Sequence, residues 1–264
     1  MNNLNLLNQF HNILRQFGFF PKITRNSLKG VLPFFRNYFR FRKINKKNSE
    51  FRISALLPNF HDRYGAAGEI PLHYFHQDIL VAQKIFNTNP EKHVDIGSRI
   101  DGFVSILASF RDVEVFDIRP FDLKVLNIKF IQADLMNEDF SFSNYTGSVS
   151  CLHAIEHFGL GRYGDKLDPN GHLKGLDNIY KMLMPKGKFY FSTLIGPQRI
   201  EYDAHRIFSV KYLLNYFSGK YKIQSFSYVN DENQILKDVE LNKPNIETNF
   251  GCNYGCGIFE LLKS

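Results

Sequence analysis

The stretch His93-Val94-Asp95-Ile96-Gly97 decides the reading of this chain. A second apolar run, Val113-Glu114-Val115-Phe116-Asp117, ends on an acid twenty positions after that glycine. In a βα unit the first strand delivers a glycine turn to a helix N-terminus, whose free N–H groups favour an anionic group. An acid at the tip of the next strand accepts hydrogen bonds from ribose hydroxyls. The spacing therefore points to a nucleotide-type ligand at the carboxyl ends of neighbouring strands.

Working outward, Phe75, Ile79, Val81, Ala82 and Phe86 recur at helical spacing, and Asn89-Pro90 closes that helix. Residues 92–96 read as a buried first strand. A helix from about 102 to 110 follows, then strands at 113–117, 129–133 and 147–152. A helix over 172–184, a Lys186-Gly187 turn and a strand over 188–193 come next. The chain finishes with a helix over 209–217 and strands over 221–228 and 257–262. Strands separated by helices require right-handed crossovers, so the fold class is α/β with a Rossmann-like, mostly parallel sheet. Little but loop separates the last two strands, which predicts antiparallel pairing at one edge.

A chain of 264 residues with 44% hydrophobic content can bury a full core, and one α/β domain over 51–264 with an appendage at 1–50 is the economical division. Three cysteines, at 151, 252 and 256, suit a reducing cytosol better than a disulfide framework. No apolar run approaches the ~18 residues of a membrane span, and no signal-peptide pattern opens the chain, so the reading is cytoplasmic. The net charge of +7 is local. Residues 1–49 hold ten Lys or Arg and no acid, which leaves −3 for the remainder. There Val31-Leu-Pro-Phe-Phe-Arg-Asn-Tyr-Phe-Arg-Phe-Arg-Lys interleaves aromatics with cations, suiting anionic lipid headgroups at the inner membrane face, or nucleic acid. The alternative is a solvated extension whose aromatics pad the main domain. Pro33 and the shortness of the run argue against a long amphipathic helix.

Five segments, taken in order, resemble the successive motifs of class I S-adenosylmethionine-dependent methyltransferases. They are His93-Val-Asp-Ile-Gly-Ser, Val115-Phe-Asp-Ile, Phe130-Ile-Gln-Ala-Asp-Leu, Cys151-Leu-His-Ala-Ile-Glu-His and Tyr180-Lys-Met-Leu-Met-Pro-Lys-Gly-Lys-Phe-Tyr-Phe-Ser. More closely, His61-Asp-Arg-Tyr, His73-Tyr-Phe-His-Gln-Asp, Asp95-Ile-Gly-Ser-Arg-Ile-Asp-Gly-Phe and Gly159-Leu-Gly-Arg-Tyr-Gly-Asp are similar to an uncharacterised bacterial family of this fold, associated with surface-polysaccharide gene clusters. The resemblance implies S-adenosylmethionine as cofactor. Asp95, Gly97, Ser98 and Arg99 would form the carboxylate-binding turn, Asp117 would hold the ribose diol, and Ile118 would border adenine. Asp134 and Leu135 would meet the adenine amino group, and His153 would lie beside the sulfonium.

This chain departs from that pattern where Arg99 and Asp101 replace the usual small residues of the glycine loop. Arg99 could pair with the cofactor carboxylate, or Asp101 could cap the next helix and repel it. Only about ten residues join strands two and three, so the usual helix there is shortened or absent. For a hydroxyl acceptor the candidate bases are His205, then His157, with Glu156 beside it. Arg162, Tyr163, Asp165, Asp203, His73 and His76 are candidates for contact with a small-molecule or glycan acceptor. His73 and His76 also stand at metal-ligand spacing, but spacing alone is weak and no metal is assigned. An NAD-linked sugar enzyme would prefer G-x-G-x-x-G in the first turn, which is missing. The Asn/Asp-Pro-Pro-Tyr signature of amine methylation is also missing after strand four, which speaks against nucleic acid as acceptor and for an oxygen. A non-catalytic protein of this fold, binding a glycolipid or partner, stays open. The reading is O-methylation of a sugar or other hydroxylated component of a cell-surface polysaccharide.

Overall fold

The structure, a computed structural model, describes residues 13–45, 53–64, 72–122, 124–202 and 204–264. Two compact units divide the chain, Met1–Ile70 and Pro71–Ser264, later than the change of composition near Glu50.

The first unit contains a 25-residue helix, α1 (Pro21–Asn45), which continues through Pro33. This corrects the expectation of no long helix here. Proline lacks an N–H, so the carbonyl of Lys29, four residues back, loses its helical donor. The Tyr64 hydroxyl donates to that carbonyl instead, at 3.1 Å. Phe60 packs edge-on against Phe34 with ring centroids 5.3 Å apart. Gly30 is buried beneath the Phe60 carbonyl, and a β-carbon at that position would collide with it. Residues 53–64 thus strap one face of α1.

In the second unit α2 (Leu72–Thr88) precedes β1 (Val94–Ile96). A π-type turn, Ile100–Val104, then leads into the short α3 (Ser105–Ala108). The strands β2 (Val113–Asp117), β3 (Ile128–Gln132) and β4 (Thr146–Leu152) follow. Next come α4 (Gly171–Met182), β5 (Leu183–Ile195), β6 (Arg199–Glu201), β7 (His205–Ile207) and α5 (Val210–Phe217), whose N-cap Ser209 accepts from the Tyr212 N–H. The chain ends through β8 (Tyr221–Val229), β9 (Ile235–Leu236), α6 (Lys243–Glu247) and β10 (Gly255–Lys263).

Eight strands form one sheet in the order β3-β2-β1-β4-β5-β10-β8-β9. From β3 to β5 every pairing is parallel, and β10 lies antiparallel between β5 and β8. This is the α/β, Rossmann-like methyltransferase fold. The two late strands do pair antiparallel, but the edge belongs to the two-residue β9, itself antiparallel to β8. On one face Leu80, Val81, Ile85, Phe103 and Leu107 of α2, the π-type turn and α3 pack on Val115, Leu152 and Tyr190. On the other, Leu176 and Ile179 of α4 and Leu213 and Phe217 of α5 pack on Phe116, Val149, Phe189 and Phe191. With both faces covered, the carboxyl-terminal parts of the central strands are buried, residues 148–152 of β4 and 189–195 of β5. The order reverses between β1 and β4, and ligands bind at the carboxyl ends of strands beside such a switch point.

Candidate functional site

A cleft of about 290 Å³ opens at those carboxyl ends, lined by Gly97 after β1, Asp117 and Ile118 after β2, Asp134 and Leu135 after β3, and His153 after β4. Gly97 takes the left-handed conformation at φ 67°, and its N–H is held by the Phe116 carbonyl at 2.9 Å. A side chain there would be both strained and pressed on Ala154.

Asp95 and Ser98 stand behind this turn and not on the cleft wall. The fully buried Asp95 carboxylate accepts from the Ser98 N–H at 3.1 Å, the Ser98 hydroxyl at 2.8 Å and the Ser150 hydroxyl at 2.6 Å. Burial pushes its pKa up to about 7 against the pull of those bonds. Ser150 also meets His93, whose other ring nitrogen contacts Ser148, so one buried polar chain ties β1 to β4 beneath the turn.

Arg99 lines the cleft and forks onto Asp101, with Nε and Nη2 donating at 3.1 and 2.8 Å. Its carbonyl accepts from both Gly102 and Val104, which fixes the π-type turn where the usual loop has small residues. Among the described residues there is no helix between β2 and β3, because the connection is too short for one.

Asp117 does not present a free carboxylate. Arg119 donates to both its oxygens, at 3.0 and 2.6 Å, and lies with its guanidinium carbon 4.5 Å from the centroid of the Tyr163 ring. Asp134 accepts from the Met136 N–H at 2.8 Å through Oδ1. Phe116, Ile118, Ala133 and Leu135 supply apolar surface between the two acids.

A second chamber, also about 290 Å³, shares Tyr74, Arg99, His153, His157 and Tyr163 with the cleft and adds His73, Glu156, Arg162, Leu194, His205 and Tyr254. At the junction His153 holds a left-handed backbone, φ 50°, and its Nδ1 lies 2.6 Å from the buried Glu156, which also accepts from Thr193. Burial works against charge on this imidazole, but the Cys256 sulfur and the Glu156 carboxylate outweigh it and hold its pKa well above the usual value. Glu156 is correspondingly lowered, because His153 overcomes the effect of burial. The pair is ionic, and His153 Nε2 is buried without a hydrogen-bond partner among the described residues.

His157 Nδ1 donates to the Ala204 carbonyl at 2.6 Å, which fixes the tautomer and leaves Nε2 as a lone pair. Burial lowers its pKa, so the ring is neutral at pH 7. His205 Nε2 instead meets the Tyr254 hydroxyl at 3.1 Å and Glu201 at 3.3 Å. Arg162 donates to the Ala204 carbonyl and has no carboxylate partner among the described residues. Asp165 lines the cleft, but its oxygens are engaged by the N–H groups of Gly159, Gly161 and Tyr163, folding the glycine-rich loop. His73 stacks on His153 at 5.8 Å. His76 lies away from both spaces, bonded to the Asn233 carbonyl. Asp203 lies outside the described residues.

Three side chains escaped the sequence reading. Arg119 stands two residues after Asp117, where only the acid drew attention. Tyr254 sits inside Cys252-Asn-Tyr-Gly-Cys256, a segment read for its thiols, all of which are free and buried. The buried Arg206 donates to the carbonyls of Phe158 and Pro169 and so pins the loop above β4. Its neighbour His205 masked it.

Among solved structures, the 4+2 cyclase SpnF is similar at TM-score 0.50 and 10% identity, covering 71% of this chain and 80% of that one. The 1,6-didemethyltoxoflavin-N1-methyltransferase of Burkholderia thailandensis, with 1,6-didemethyltoxoflavin and S-adenosylhomocysteine bound, is similar at TM-score 0.49 and 12% identity, over 71% and 78%. The N-methyltransferase NodS of Bradyrhizobium japonicum WM9, in complex with S-adenosylhomocysteine, is similar at TM-score 0.47 and 11% identity, over 72% and 87%. At such identities the likeness concerns the fold alone. No curated protein matches the chain. The profile of one family, described as Caenorhabditis protein of unknown function, DUF268, matches residues 104–251, more than half of the chain and the part that carries the tips of β2, β3 and β4, the glycine-rich loop and Arg206. The chain belongs to this DUF268 family.

Proposed function

We propose that the chain is an S-adenosylmethionine-dependent methyltransferase that O-methylates a sugar or another hydroxylated component of a cell-surface polysaccharide. One observation carries the reading. The Gly97 turn, Asp117 and Asp134 converge on a single cleft, which opens through His153 and His157 into a chamber rich in histidine and tyrosine. Two acids at adjacent strand tips with apolar surface between them suit an adenosine group. The cofactor supplies an electrophilic methyl group on a sulfonium.

The protein's own residues then have distinct tasks. Asp117 accepts the ribose hydroxyls, which requires Arg119 to leave it. Ile118 and Leu135 flank adenine, and Asp134 accepts its amino hydrogen through the oxygen not used by Met136. His157 Nε2 takes the proton of the acceptor hydroxyl, its ring held by the Ala204 carbonyl. His205, ranked first by sequence, has its Nε2 already contacted by Tyr254 and Glu201, so the geometry favours His157. Tyr74 and Tyr254 bring aromatic rings to the chamber, suited to the apolar side of a sugar. The Arg162 guanidinium, which has no carboxylate partner among the described residues, suits an acceptor that bears a carboxylate or phosphate. The polysaccharide rests on the resemblance of the His61, His73, Asp95 and Gly159 segments, and bacterial surface glycans are the corresponding source.

A second reading, a ligand-binding protein without catalysis, is favoured by the Arg119–Asp117 pair. Incubation with methyl-labelled S-adenosylmethionine and a panel of uronic acids, sugar phosphates and neutral sugars separates the two. Label transferred to a sugar oxygen, and lost in His157→Ala, supports the enzyme. Binding without transfer to any hydroxyl supports the second reading.

A further inference from the structure

The outer face of α1 is built for a lipid surface. Leu28, Leu32, Phe35 and Phe39 are 72%, 83%, 44% and 55% exposed. Their positions, four, three and four residues apart, put all four on one line along the helix. At 100° per residue, Gly30 and Phe34, which meet the Phe60 strap, fall on the opposite side. The apolar line is therefore not the face that this unit uses for its own packing.

Charge says what covers it. The helix carries seven cations, Lys22, Arg25, Lys29, Arg36, Arg40, Arg42 and Lys43, and no acid. By the same periodicity Arg25, Lys29, Arg36, Arg40 and Lys43 form a second stripe along one flank of the apolar line, with Arg42 on the other flank. A helix seeking a second copy of itself would bring these stripes together, and like charges would oppose the pairing with no carboxylate on the helix to offset them. An anionic bilayer answers both stripes at once, since the headgroups neutralise the cations while the leucines and phenylalanines enter the acyl boundary.

We propose that α1 lies in the plane of an anionic membrane, with Leu28, Leu32, Phe35 and Phe39 inserted and the Arg/Lys stripe at headgroup level. Among the described residues no helix is long and apolar enough to cross a membrane. The inference is independent of the reading of the cleft.

The full chain, mixed with vesicles of phosphatidylcholine with or without phosphatidylglycerol, should pellet only with the anionic vesicles. High salt should release it, a readout that needs no variant. The chain has no tryptophan, so Phe39→Trp provides a single reporter, whose emission should shift to the blue on anionic vesicles. Arg36→Glu combined with Arg40→Glu should weaken partitioning by about ten-fold or more. Leu32→Glu with Phe39→Glu should abolish it. Equal binding to neutral vesicles, no binding to either, or a concentration-dependent dimer that Leu32→Glu dissolves would each overturn the proposal. So would partitioning to RNA in preference to anionic vesicles.

Discussion

At the scale of the residue, the site turns on which partner each polar atom already has. Asp117 is engaged by Arg119 through both oxygens, and that pair is half open to solvent on the arginine side. A partly exposed pair of this kind is worth about 1 kcal/mol. Arg119→Ala should therefore raise affinity for S-adenosylhomocysteine by about two- to ten-fold, measured by calorimetric titration, because the acid is released. Weaker binding would instead make Arg119 part of the ligand's own contact surface. His157→Ala should lower kcat by about 10²- to 10⁴-fold with cofactor affinity unchanged, which equilibrium binding and turnover together decide. An undiminished kcat would return the base to His205. These assignments were only half legible beforehand. The acids at 95, 117 and 134 and the histidines at 153, 157 and 205 stand out as residue types at strand ends. Whether a carboxylate faces the cleft or a serine behind it depends on side-chain direction within the turn, which spacing does not encode.

At the scale of the element, the loop above β4 depends on one buried guanidinium. Arg206 on β7 donates to the carbonyls of Phe158 and Pro169 at the two ends of the glycine-rich stretch. Removing a charged donor and leaving buried carbonyls unpaired costs roughly 2–4 kcal/mol. Arg206→Met should lower the melting temperature and expose residues 158–169 to limited proteolysis. Unchanged melting and unchanged cleavage would contradict this role. The sequence made the longer helices and strands readable by their apolar patterns, and β1, itself only three residues long, by the glycine turn that closes it. It could not reveal β6 and β7, three residues each, or β9, two residues, since such runs carry no periodicity. Pro33 misled for a different reason. The donor it removes is replaced by the hydroxyl of Tyr64, far along the chain, and only the fold brings the two together.

At the scale of the whole molecule, the second unit carries neutral buried histidines at separate places in the fold. Burial is the largest influence on His73, His93 and His172, holding them at about 4, about 3 and about 4, against an ordinary value near 6.5. The unfolded chain takes up protons there below pH 6.5 while the native chain does not, so this contribution is full above 6.5 and is lost as pH falls through 6.5 toward 4. Asp78 and Asp95 act in the opposite sense. Burial raises them to about 6 and about 7, so the native chain binds their protons first and their cost fades as pH falls. Comparing wild type with His93→Gln isolates one histidine. The wild-type advantage in urea unfolding should shrink by on the order of 1 kcal/mol per pH unit below 6.5. Parallel stability curves would show that His93 is not held neutral.

The central claim is that the tips of β1, β2 and β3 make one adenosine pocket. Calorimetric titration of the purified full chain with S-adenosylhomocysteine, repeated with Asp117→Ala and with NADH in place of the ligand, tests it most directly. Saturable one-to-one binding is expected, lost in Asp117→Ala, with no heat from NADH. Binding indifferent to Asp117, or NADH bound in its place, would contradict it.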